Sequence, residues 1–313
     1  MRRFLGHVAA FLALQAALFA ALDAFYMRRF GERHFLAGWR EKSARLQALS
    51  APRVLLVGGS SNAFGVDSGA LERALGRPVV NLALNAGLGL GFILNQAADA
   101  VRPGDLVILT PEYWLLERRE NFDAPTVFVA LRVTPGTARF VPLEMVPRLL
   151  DQGLVPVSDR LRALSAFLRG EGENPAYTRA SFDRWGDAVA HHQFGSLRGG
   201  DSHAWVPPAE DAERACRRLA TFADDVRARG AGLVIVPPPI PVDDHEVQRE
   251  TLVRLWQRVG EATRADVVLV RKTFAREQFF DTAYHLTREG RRSRTRAIIA
   301  WARRQAAEDE PSD

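Results

Sequence analysis

Val54-Leu-Leu-Val-Gly-Gly-Ser-Ser-Asn-Ala-Phe-Gly-Val-Asp67 is followed at once by the amphipathic run Ser68–Leu75. The four apolar residues Val54–Val57 read as a strand, the two glycines let the backbone turn sharply, and the apolar spacing beyond reads as a helix. The same alternation recurs along the chain. Strand-like runs lie at Val79–Leu82, Leu106–Leu109, Leu233–Val236 and Val267–Val270. Helical periodicity fills Phe92–Val101, Glu210–Arg229, Glu246–Ala265 and Arg288–Ala307. Short apolar runs bounded by Gly, Pro and Asp and separated by helices predict an α/β fold with a parallel sheet. Right-handed crossovers then predict a flavodoxin-like three-layer sandwich.

Two regions depart from this alternation. Met1-Arg-Arg3 precedes the apolar run Phe4–Tyr26, broken by His7, Gln15 and Asp23. About 20 apolar residues suffice to cross a bilayer as a helix. Residues 1–27 are therefore expected to be an uncleaved N-terminal transmembrane helix, with a cleavable signal peptide as the rival. Residues 28–52 read as a juxtamembrane helix and linker that Pro52 ends. The domain then covers 53–313. Within it, residues about 114–208 lose the strand–helix rhythm, carry Pro125, Pro135, Pro142 and Pro147, and hold a short helix at Val157–Leu168. A stretch that long is an inserted cap and not a loop.

Composition narrows the function classes. The net charge is +5, but basic residues alternate with acidic ones along the predicted helices, as a solvated face does. No zinc-finger or RNA-binding signature is present, so no nucleic-acid partner is expected. Cys216 is the only cysteine, which rules out an intrachain disulfide and a cysteine metal site. A dinucleotide fold would need G-x-G-x-x-G after the first strand and an acid at the end of the second. Neither is present, and neither is a Walker A loop. No cofactor and no metal are expected.

Ligands of an open parallel sheet bind beyond the carboxyl ends of its strands. After the first strand stands Ser60, where a serine at a helix start meets exposed N–H groups and serves either as a nucleophile or as a simple cap. After the last strand comes Phe279-Phe-Asp-Thr-Ala-Tyr-His-Leu-Thr-Arg-Glu-Gly290. Asp281 and His285 there can converge on a nucleophile as orienting carboxylate and general base.

Together these segments resemble the SGNH/GDSL hydrolase superfamily. Gly58-Gly59-Ser60 stands where that family has Gly-Asp-Ser, and Gly65 falls five residues after the serine. Asn81-Leu-Ala-Leu-Asn-Ala-Gly87 resembles its second block, and Asp281…His285…Gly290 its last. The match spans roughly residues 53–113 and 230–300. The resemblance implies a Ser60–His285–Asp281 triad with the N–H groups of Ser60 and Gly87 holding an oxyanion. Ser61, Asn62, Glu112 and Tyr113 are further candidates for the site. Two departures stand out. The third strand is followed by Thr110-Pro-Glu-Tyr-Trp114 without the family's asparagine, leaving Tyr113 or a cap residue to donate in its place. The last block is also one residue longer than D-x-x-H. Both features resemble the membrane-linked branch that helps to acylate cell-envelope polysaccharides. The resemblance implies an esterase or O-acyltransferase acting on an acyl ester or polysaccharide. It also implies an extracytoplasmic location (periplasm or cell surface) at the bacterial inner membrane, with a membrane-bound O-acyltransferase as a partner. The competing expectation is a non-catalytic scaffold with the same fold, which the missing asparagine favours.

Three further features read as structural. His191-His192, with His203 nearby, reads as a surface pair because no carboxylates stand at metal-ligand spacing. Pro237-Pro-Pro239 reads as a rigid loop beside the site, and Trp185 and Trp205 as packing residues of the cap.

Overall fold

The structure is a computed structural model that describes residues 1–119, 121–152, 157–197, 202–270 and 273–308. It is an α/β protein built on a five-stranded parallel sheet. The strands are β1 (Val54–Gly58), β2 (Val79–Asn81), β3 (Leu106–Thr110), β4 (Gly232–Ile235) and β6 (Asp266–Val267), in the order β2-β1-β3-β4-β6. β1 sits inside the sheet with Val54 paired to Val79 on one side and to Leu106 on the other. All five of its residues are buried. A second, two-stranded parallel sheet of β5 (Ile240–Pro241) and β7 (Thr273–Phe274) lies outside the expected alternation.

The helices are α1 (Arg2–Tyr26), α2 (Trp39–Ala48), α3 (Ser60–Gly65), α4 (Ser68–Leu75), α5 (Leu90–Ala100), α6 (Ala124–Val133), α7 (Val146–Gln152) and α8 (Val157–Leu168). α9 (Glu213–Ala228), α10 (Val242–Val247), α11 (Arg249–Thr263) and α12 (Arg288–Glu308) follow. The side chains of β1 alternate between two cores. Leu55 and Val57 join a cluster with Phe92 and Ala97 of α5, Leu219 of α9 and Leu255 of α11. Val54 and Leu56 join Leu71 of α4 and Ile298 of α12. Helices therefore cover both faces, which explains why the strands read as continuous apolar runs. Each such fully buried Val or Leu stabilises the fold by about 1.5–3 kcal/mol.

Two expected elements are corrected. The run expected as one helix over Glu246–Ala265 is two, because the chain breaks at Gln248 between α10 and α11. The last strand of the five-stranded sheet spans Asp266–Val267 and not Val267–Val270, with Asp266 paired to Val234 and Val267 to Ile235 of β4.

α1 is a continuous helix whose residues Phe4, Leu5, Phe11, Leu12 and Leu18 are more than half exposed. Extended through Gly31 it has a mean hydropathy of 2.0 over its most apolar stretch, long and apolar enough for a membrane span or a signal sequence. Its C-terminal end joins the globular part. Asp23 is buried there and paired with Arg132 of α6 at 2.7 Å. The segment after it is no solvent-exposed tether, because Phe35, Leu36, Ala37, Trp39 and Lys42 are all buried. Among the described residues between 114 and 208 the elements are short helices and turns, and α6 packs against the segment that follows α1.

Candidate active site

β1 and β3 end side by side, and the residues after each make the turn that carries Ser60. Gly58 has φ +147°, and a Cβ there would stand 2.3 Å from the Thr110 carbonyl oxygen. A Cβ on Gly59 would fall 2.5 Å from the Glu112 carboxylate. Both glycines are thus required by the close approach of the neighbouring strand end. α3 then starts at Ser60, whose own N–H has no intrahelical acceptor to meet.

Ser60 Oγ lies 2.7 Å from His285 Nε2, and His285 Nδ1 lies 2.8 Å from Asp281 Oδ1. The imidazole stacks on Phe64 of α3 with ring centroids 4.1 Å apart and planes 12° from parallel. Its backbone is fixed by a closed turn. Phe280 N–H donates to the His285 carbonyl at 2.7 Å, and Phe279 and Leu286 form a bridge around it. That turn accommodates the extra residue between Asp281 and His285. Burial pushes the Asp281 pKa up, but hydrogen bonds from His285 and Tyr177 outweigh it and hold the carboxyl below its usual range. Asp281 is therefore held in its ionised form beside His285.

The other candidates fall elsewhere. Ser61 is fully buried, its N–H donates to Glu112 Oε1 at 2.9 Å, and its carbonyl accepts from Arg294 at 3.2 Å. Ser61 makes no side-chain cap, and its N–H is already committed. Asn62 ties α3 back to the sheet, with Nδ2 donating to the Val57 carbonyl at 3.0 Å. Gly87 does not offer a free N–H. Asn85 Oδ1 accepts it at 2.7 Å, because an asparagine before a short turn caps it. Tyr113 is wholly buried, with its ring against Trp256 and Tyr284.

Glu112 takes the place after β3 where the resemblance implies an asparagine, and it works in the opposite sense. Its carboxylate accepts the N–H groups of Gly59 at 3.0 Å and Ser61 at 2.9 Å, so it holds the turn and donates nothing. Arg294 of α12 lies beneath, fully buried, bonded to the Ser61 carbonyl and to Thr110 Oγ1, each at 3.2 Å. Burial lowers its pKa to about 10, and the charge of Glu112 opposes that fall. A Cβ on Gly65 would stand 2.8 Å from Arg294 Nη1, which accounts for that glycine of the motif.

Two residues at the site have no signal in the sequence. Tyr177, in the cap, donates its hydroxyl to Asp281 Oδ2 and stands 3.1 Å from His285 Nδ1. Arg294 sits in an arginine-rich helix indistinguishable by pattern from a solvated one. The histidine pair is also corrected. His191 is buried against Phe64 and Phe280 with Nε2 donating to the Leu286 carbonyl at 3.0 Å. His192 accepts from Arg291 at 3.1 Å. Only His203 keeps to the surface, 2.6 Å from Asp244. Pro237–Pro239 are buried between β4 and β5, and Trp185 packs on Gly69, but Trp205 is 55% exposed and packs in no core.

No protein-family model matches the chain, and neither a curated protein nor a solved structure matches it.

Proposed function

We propose that this chain is a serine esterase or O-acyltransferase of the SGNH/GDSL type, using Ser60, His285 and Asp281 on an acyl ester. The observation that carries the reading is the unbroken chain of contacts from Ser60 Oγ through both nitrogens of His285 to Asp281, at 2.7 and 2.8 Å. In the reaction His285 Nε2 takes the Ser60 proton as Oγ bonds to the acyl carbon. The C–O bond to the leaving alcohol then breaks, and His285 returns its proton to that oxygen. Water or an acceptor hydroxyl next attacks the Ser60 ester, again giving its proton to His285, and Ser60 recovers a proton as it leaves. Asp281 stabilises the imidazolium in each half. The oxyanion relies on the Ser60 N–H, since Gly87 and Ser61 have committed theirs.

The strand order β2-β1-β3-β4-β6 supports a flavodoxin-like, doubly wound sandwich with a cap inserted after β3. The apolar α1 behind Arg2-Arg3 supports an anchor in a bacterial inner membrane with the domain outside, in the periplasm or at the cell surface. A cell-envelope polysaccharide as acyl acceptor and a membrane-bound O-acyltransferase as partner complete the reading, on the resemblance of the motifs.

A second reading has a specific observation behind it. Of the two expected oxyanion donors, Gly87 has its N–H committed to Asn85, as suits a scaffold that keeps the fold and binds a polysaccharide or an acyltransferase without turnover. A fluorophosphonate probe separates the two, since it labels only an activated serine. The esterase reading expects one adduct per chain, mapped to Ser60 by peptide mass and lost in Ser60→Ala. A folded wild-type chain that takes up no probe decides for the scaffold.

A further inference from the structure

We propose that Tyr177 is a positioning residue for the Asp281–His285 pair, held in place by the segment that follows α1, so that residues 33–41 form part of the site. This rests on the triad reading above. For His285 to accept the Ser60 proton, Nε2 must carry a lone pair, which puts the ring proton on Nδ1. That proton faces Asp281 Oδ1 at 2.8 Å, with the Tyr177 oxygen as a second acceptor at 3.1 Å. The phenol proton is then committed to Asp281 Oδ2. Each carboxylate oxygen thus has its own donor, and the three side chains close a ring that leaves Asp281 no freedom to turn. The phenol stays protonated, because burial and the Asp281 charge both push its pKa up.

The support for Tyr177 comes from near the end of α1. Its ring lies 5.9 Å from Phe35 and 5.8 Å from Phe64, the ring on which His285 stacks. The residue after it, Thr178, bridges antiparallel to His34. Arg179 N–H donates to the Arg33 carbonyl at 2.7 Å, and its guanidinium binds Glu41 with Nε at 2.7 Å. At Gly38 a Cβ would collide with Phe182 at 2.3 Å, so the two segments need a glycine to lie this close. The wall of the site over His285 is therefore shared between the cap and the membrane-proximal segment.

The test uses the full-length chain in detergent, with the rate of fluorophosphonate labelling at Ser60 followed across pH. Tyr177→Phe keeps the ring and removes the hydroxyl. Losing one hydrogen bond to a charged group at the site should slow labelling roughly ten- to hundredfold near neutral pH. The acid limb should also move to higher pH, because Asp281 with one donor fewer stabilises the imidazolium more strongly. Other groups facing His285 are Ser60, Asp281 and, across Phe64, His191, all unchanged in the variant. A purely structural role would lower the melting temperature without moving that limb. Phe35→Leu should slow labelling in wild type but add little in the Tyr177→Phe background. An unchanged rate and pH profile in Tyr177→Phe overturns the role of Tyr177. Additive effects of the two substitutions overturn the role of the membrane-proximal segment. A wild-type chain that takes no label fails the triad reading and this inference with it, whereas a labelled wild type with Tyr177→Phe unchanged fails this inference alone.

Discussion

Replacing Arg294 by methionine isolates the buried charges beneath the Ser60 turn. Arg294 is 1% exposed and Glu112 2%, so neither charge has water to screen it. Two opposing terms follow. Burial, offset only in part by the charge of Glu112, brings the guanidinium pKa down to about 10, a net penalty of roughly 3 kcal/mol that the substitution removes. Against it, the variant loses two hydrogen bonds of 3.2 Å and leaves the Glu112 carboxylate buried without a compensating charge. Removing one member of a buried ionic arrangement has a net cost of about 3–5 kcal/mol, so the second term wins. Neutralising the carboxylate as well should recover part of the loss, and Glu112→Gln/Arg294→Met should be less destabilised than the sum of the singles by about 2 kcal/mol. Urea unfolding followed by tryptophan fluorescence measures all four corners of this cycle. An Arg294→Met variant within 1 kcal/mol of wild type, or strict additivity in the double variant, would refute the argument.

Acid should destabilise the protein through its buried histidines. Burial lowers the pKa values of His34 and His191 to about 4, so between pH 6.5 and 4 the unfolded chain binds protons that the folded chain refuses. Stability is complete above pH 6.5 and falls as pH drops towards 4. His191→Phe should reduce the stability lost across that window by up to about 3 kcal/mol, read from melting temperatures, and an unchanged pH dependence contradicts it. Ser61→Ala should retain fluorophosphonate labelling, because Ser61 offers Glu112 only its backbone N–H. A label abolished by this change while Ser60→Ala keeps one would reverse the two serines. For topology, a C-terminal reporter active only outside the cytoplasm should be active, and a C-terminal reporter active only in the cytoplasm should be silent. The opposite pattern places the domain inside.

Much of the frame is legible in the sequence alone. The apolar runs from Val54, Val79, Leu106 and Leu233 read as strands because helices bury both of their faces. The spacing Gly58-Gly59-Ser60…Gly65 read as a tight turn because each glycine answers a contact with Thr110, Glu112 or Arg294. Asp281 and His285 were legible as a pair because four residues of a compact turn bring them together locally. The occupancy of backbone donors was not legible. The N–H groups of Gly87 and Ser61 are identical in sequence whether free or bonded, and only the positions of Asn85 and Glu112 commit them. Tyr177 and Phe35 lie 104 and 246 residues before Asp281 in the chain, with no motif around them. Sequence by itself determined the alternation of strand and helix, the glycine turn at Ser60 and the local Asp281–His285 pair, since these follow from periodicity and near-neighbour sterics. Only the tertiary structure decided which side chains close over that pair and which donors remain, because those depend on long-range contacts whose geometry no local pattern encodes.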